Sequence, residues 1–134
     1  MYLLDTNILS ELVKKKPHPG FIGRLSSEPS EMLYTSSVCV IELRYGSALR
    51  DDFDMFWNRI FENIISRITI LEFGENEAYT AGDILAQLQK KGQMIGVEDI
   101  YIAATAISHN FILVTANIRH YKGIDNLRIE NWII

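Results

Sequence analysis

The sequence predicts an α/β protein with a central, mainly parallel, twisted sheet and helices on both faces. Three observations lead there. Short apolar segments of strand length alternate with helical stretches along the chain. Residues 99–108, rich in Ile and Ala, are apolar nearly all round, as suits a helix buried inside the domain. Residues 111–115 form a compact apolar run of the kind found in strands covered on both faces.

Taken in order, residues 2–4 form a short apolar strand, and Asp5, Thr6 and Asn7 supply capping side chains. Ile8, Leu9, Leu12 and Val13 then recur at helical spacing. This helix stops near Lys14 to Lys16, because Pro17, Pro19 and Gly20 follow. A second short helix is expected over 21–27. Residues 32–38 favour a strand, and 38–49 read as a helix with Ile41, Tyr45 and Leu49 on one side, which makes Tyr45 a core residue. Residues 54–65 place Phe56, Trp57, Ile60, Phe61 and Ile64 on an amphipathic helix whose apolar set serves the core or, as the alternative, a partner groove. A strand over 68–73 and a helix over 78–91, ended by Gly92, precede the buried helix and the strand at 111–115. The last strand falls within 127–133. In such sheets ligands bind outside the carboxyl ends of the strands.

The 134 residues suit one domain spanning the whole chain, and 48% hydrophobic with 22% charged residues is an ordinary globular composition. Cys39 is the only cysteine, which excludes an internal disulfide and favours a reducing cytoplasm. Asp5 interrupts the N-terminal apolar run before it reaches signal-peptide length, and no later run is long enough for a membrane span. A cytoplasmic protein without a membrane partner is expected. A net charge of −4 argues against coating nucleic acid by electrostatics alone, yet leaves room for a nucleic-acid enzyme. Lys14, Lys15, Lys16, Lys90, Lys91 and Arg119 are available for phosphates.

Most acidic residues sit among polar neighbours, but three do not. Asp5 directly follows an apolar strand, Glu42 edges an apolar stripe, and Asp99 opens the most buried helix. Singly, each has a structural reading: Asp5 as a helix N-cap, Glu42 as a rim residue paired with a base, Asp99 beside Glu98 as a first-turn acid. The element order, however, brings all three to one side of the sheet, where their mutual repulsion calls for a compensating cation. Oxygen donors select a hard divalent ion, Mg2+ or Mn2+. Such an ion activates water and neutralises charge in phosphodiester hydrolysis. On this reading Asp5 and Asp99 are the principal ligands, and Glu42 binds a second ion or orients the attacking water as a base.

The segments Leu3-Leu4-Asp5-Thr6-Asn7, Glu42-Leu43-Arg44-Tyr45-Gly46 and Asp99-Ile100-Tyr101-Ile102-Ala103-Ala104 occur in that order. Leu113-Val114-Thr115-Ala116-Asn117 and Asn131-Trp132-Ile133 follow. Together they resemble the acidic motifs of PIN domains, in particular VapC-type toxins of toxin-antitoxin pairs, from end to end of the chain. The resemblance implies a PIN fold and a magnesium-dependent endoribonuclease, with Mn2+ able to substitute. It also implies a homodimer, a cognate VapB-type antitoxin, and an RNA substrate, with tRNA among the structured RNAs that such toxins cut. Asp5, Glu42 and Asp99 match the family's acidic cluster. The fourth acidic position of many members falls at Asn117, whose neutral oxygen holds a second ion less firmly. That departure leaves an alternative, a catalytically weak PIN-like module acting through protein or RNA binding.

Thr6, Asn7 and Thr115 are placed to bond to the acids or simply to serve as turn and strand-end residues. Arg44, Tyr45, Arg119 and Tyr121 lie near the motifs as candidates for stacking on bases. His18, His109 and His120 are scattered and read as ordinary loop or helix-end residues. A phospho-receiver domain is excluded because an acidic pair after the first strand and a lysine after the last are both missing. A haloacid-dehalogenase-type phosphatase needs an aspartate where Asn7 stands.

Overall fold

A computed structural model describes residues 1–134. The chain begins with β1 (Tyr2–Leu4), α1 (Thr6–Leu12) and α2 (Pro19–Ser26), then β2 (Leu33–Ser36), α3 (Ser37–Ala48) and α4 (Phe53–Ile60). It continues through β3 (Thr69–Leu71), α5 (Glu75–Lys91), α6 (Val97–His109), β4 (Ile112–Val114), α7 (Ile118–Tyr121) and β5 (Ile129–Glu130). The five strands form one sheet in the order β3-β2-β1-β4-β5. All four pairings are parallel.

Leu3 and Leu4 are both fully buried, as are Leu113 and Val114 beside them. Successive strand residues point to opposite faces, so both faces of the sheet are covered. The first three strands step outward from β1 to β2 to β3, after which the chain returns to place β4 on the other side of β1. This reversal opens a crevice at the carboxyl ends of β1 and β4. Leu4 pairs with Val114 at that edge, and the next residue of each strand, Asp5 and Thr115, enters the crevice.

α6 is the buried helix that the composition foretold: Ile100, Ile102, Ala103, Ala104 and Ala106 are inaccessible to solvent. It packs along α5 and also meets α3. Its end is set by Asn110 in the left-handed conformation at φ 57°, as α5 is ended by Gly92 at φ 66°. α5 starts earlier than its apolar repeat suggests because Glu77 reaches back to accept the Gly74 amide proton at 3.0 Å. α7 has no signature in the sequence, because four residues are too few to show a helical repeat.

Two packing expectations need correction. α3 buries Val38, Cys39, Leu43 and Ser47, and turns Ile41, Tyr45 and Leu49 outward. Tyr45 is 67% exposed and is no core residue. The small side chains of Cys39 and Ser47 let this face lie close to its neighbours, whereas the larger stripe is left uncovered. In the helix over 53–65, which ends in a π turn at Phe61–Ile65, Ile60 and Ile64 are core residues but Phe61 is half exposed. No helix is long and apolar enough to cross a membrane.

Leu113 is fully buried and lies between β1 and β5. Leu113→Ala is expected to cost about 2–5 kcal/mol, the usual range for truncating a core leucine. Urea denaturation would show it as a lower midpoint with an unchanged slope.

Candidate active site

Asp5 is only 3% exposed and has extended backbone angles as the N-cap of α1. Its Oδ1 accepts the Thr6 amide proton at 2.7 Å. Its Oδ2 accepts from Thr115 Oγ1 at 2.8 Å, Tyr121 OH at 3.0 Å and Asn7 Nδ2 at 3.2 Å. Asn7 is fixed in turn, since its Oδ1 accepts the Ala116 amide proton at 2.8 Å. The structural reading of Asp5 as a cap therefore holds without exhausting its surroundings: three further donors converge on it, two of them, Thr115 and Tyr121, from beyond the helix.

Glu42 comes from α3, and its Oε1 accepts from Thr6 Oγ1 at 2.8 Å. Ligand atoms of Asp5, Glu42 and Cys39 all lie within 4.8 Å of one another. Asp99, in the first turn of α6, stands outside that tight group and is joined to it through Tyr121. The Tyr121 hydroxyl is 3.2 Å from Asp99 Oδ1 as well as 3.0 Å from Asp5 Oδ2. His120 Nδ1 donates to the other oxygen of Asp99 at 3.0 Å. Thus the crevice brings together all three acids singled out in the sequence, two directly and the third across one hydroxyl.

Burial pushes the Asp5 carboxyl above its ordinary value, against the bonds from Thr115, Thr6 and Tyr121, and the charge of Asp99 pushes the same way. Glu42 is raised first by burial and further by the charges of Asp5, Asp99 and Glu98, while its bond from Thr6 opposes the rise. Burial and the two neighbouring aspartates hold the Tyr121 phenol far above its usual value, so it stays a proton donor. Cys39 is fully buried and its thiol is raised by burial and then by Asp5. Its sulfur lies against Ser36 Oγ and the Leu4 carbonyl. A protonated, enclosed thiol is a poor ligand. The remaining donors are carboxylate oxygens, a set that fits a hard divalent ion.

Thr6, Asn7 and Thr115 all bond to the acids, Thr6 to Glu42 and the other two to Asp5. Asn117 is exposed and its side chain bonds to none of the acids. Tyr121, read from sequence as a base-stacking candidate, is instead fully buried with its hydroxyl between two carboxylates. His120, read as ordinary, contacts Asp99. Neither had a signal of its own, because both lie on a four-residue helix after β4. Arg44 is occupied in stacking over Phe53 at 4.5 Å and Trp57 at 4.7 Å, which ties α3 to α4. Thr6 and Glu42 also border a cleft of about 510 Å³ among α1, α3 and α4, whose basic walls are Lys14, Lys15, Arg50 and Arg59.

Comparison with known proteins identifies the family. The PIN domain family model matches residues 2–125. The chain is 38% identical to Ribonuclease VapC2 of Haemophilus influenzae, with 98% of each chain covered. It is 33% identical to the tRNA(fMet)-specific endonuclease VapC of Salmonella typhimurium, covering 98% of this chain and 97% of that one. Among solved structures, VapBC2 from Rickettsia felis bound to a DNA fragment from its promoter superposes with a TM-score of 0.86 at 31% identity over 98% of both chains. Acidic residues at the carboxyl edge of a parallel sheet, a family match over nearly the whole chain and these full-length relatives lead to one assignment: the chain belongs to the PIN domain family, among its VapC ribonucleases.

Proposed function

We propose that this chain is a single-domain, magnesium-dependent endoribonuclease, the toxin of a toxin-antitoxin pair, with Asp5, Glu42 and Asp99 as its working residues. The observation that carries this is the meeting of the three acids at the crevice between β1 and β4. Mg2+, or Mn2+ in its place, suits a site of oxygen donors alone. When bound it would polarise the scissile phosphate, lower the pKa of water and neutralise developing charge.

The protein's own groups divide the remaining work. Asp5 and Asp99 would hold the ion. Oδ2 of Asp5 is already committed to three donors, which leaves Oδ1, with one, the better placed to reach a ligand. Thr6 holds Glu42 by Oε1 and leaves Oε2 without a partner, so Glu42 can orient the attacking water and accept its proton. The rise in Glu42 basicity serves that task. Lys15 and Arg59, on the adjoining cleft, are placed to meet phosphates of an RNA strand.

The relatives' names point to RNA as substrate, tRNA among the targets, and to an antitoxin that pairs with the toxin. An arginine from that antitoxin could enter the acidic crevice and pair with its carboxylates, displacing the ion. The uncovered Ile41, Tyr45 and Leu49 stripe is apolar surface that favours association, in a homodimer or with the antitoxin. Work in the cytoplasm, where RNA is the substrate, completes the reading.

Asp5→Asn and Asp99→Asn should each lower RNA cleavage by at least about 100-fold while the circular dichroism spectrum is kept, the scale for removing a charge-stabilising group. EDTA should abolish cleavage by the wild type and added Mg2+ should restore it. Full activity of both variants would leave the acids without a catalytic part and favour a binding module. A second test is thermodynamic. Because the Glu42 carboxyl is raised in the fold, the metal-free protein loses stability as pH climbs from the ordinary glutamate range through the raised value. Glu42→Gln escapes that loss. In EDTA it should melt a few degrees above the wild type at about pH 7.5, with the difference gone below about pH 4.

A further inference from the structure

Tyr121 is fully buried at the end of α7, and it is the one side chain bonded to both Asp5 and Asp99. Its hydroxyl carries a single proton, which the two carboxylates share. The oxygen stands between Asp5 Oδ2 and Asp99 Oδ1 at 3.0 Å and 3.2 Å, in contact with both like charges. Asp5 has three further donors to hold it. Asp99 has one, His120, whose side chain is 55% exposed. Tyr121 is thus the one buried side chain that links the Asp99 carboxylate to Asp5.

We propose that Tyr121 is a positioning residue that spaces Asp5 and Asp99 for a small octahedral ion, and so makes the site prefer Mg2+ to larger cations. The proposal rests on the divalent-ion reading of the site given above. The reason lies in the ions. Mg2+ demands near-ideal octahedral geometry and is sensitive to misplaced ligands, whereas Ca2+ accepts variable number and distance. Groups that bond to metal ligands typically control affinity by 10–100-fold. Asn117 bonds to none of the acids, so no side chain from that position shares the task.

The experiment is calorimetric titration of wild type and Tyr121→Phe with Mg2+ and, separately, with Ca2+, each protein first stripped with chelator. Phenylalanine keeps the buried ring and removes only the hydroxyl. Expected is an Mg2+ affinity lowered by about 10-fold with Ca2+ affinity changed by less than about threefold, at an unaltered circular dichroism spectrum. Unchanged binding of both ions, or equal loss of both, would overturn the spacing role while the metal site stood. A wild type that binds neither ion would remove the metal reading itself, a distinguishable failure. If Tyr121→Phe does not fold, 3-fluorotyrosine placed at position 121 of the otherwise wild-type chain gives a second readout. Its 19F resonance should move in step with Mg2+ saturation, and a resonance unmoved at saturation would overturn the proposal.

Discussion

The site depends on keeping the carboxylate of Asp5 charged beneath the protein surface at the end of the central strand. Burying an ionised group costs several kcal/mol, and hydrogen bonds to a charged acceptor return about 1.5–3 kcal/mol each. Four donors reach Asp5, from the α1 N-terminus, the loop after β4 and α7. This requirement explains why β1 and β4 must be neighbours. The parallel register Leu4 to Val114 places Thr115 beside Asp5, and the Asp5 amide proton is itself accepted by the Val114 carbonyl at 3.0 Å. A one-residue slip would carry Thr115 to the other face of the sheet and undo the arrangement.

The same arrangement carries a stability cost. Burial above all, and to a lesser degree the charges of their acidic neighbours, raises the carboxyls of Asp5 and Glu42. A fold selected for stability alone would place an uncharged group at one of these positions. A cation bound among them would relieve the repulsion and stabilise the native state by mass action. Helix α6 shows the opposite tendency: its Ala-rich buried face packs without polar conflict and gives Asp99 a rigid base.

Much of this was readable in the sequence, for physical reasons. The apolar strands at Tyr2–Leu4 and Ile112–Val114 and the all-apolar helix around Ala103 declare themselves because burial on every side leaves no polar position to confuse the pattern. Asp5, Glu42 and Asp99 stood out because each interrupts such a pattern. Tyr121 did not, since a buried tyrosine and a stacking tyrosine look alike until the hydroxyl is seen to lie between two acids. The outward stripe of α3 is ambiguous in sequence for a related reason: Ile41, Tyr45 and Leu49 have the larger apolar surface, but the face holding Cys39 and Ser47 fits more closely against the core. Periodicity identifies faces of a helix. It does not say which of two apolar faces the rest of the chain will cover.

The measurement that tests the central claim most directly is an anomalous difference map from crystals soaked in Mn2+. The account predicts a peak in the crevice between β1 and β4, coordinated by carboxylate oxygens of Asp5 and Asp99, with Glu42 facing it. A well-ordered crevice with no peak at saturating Mn2+, or an ion bound only by residues outside these three, would contradict it.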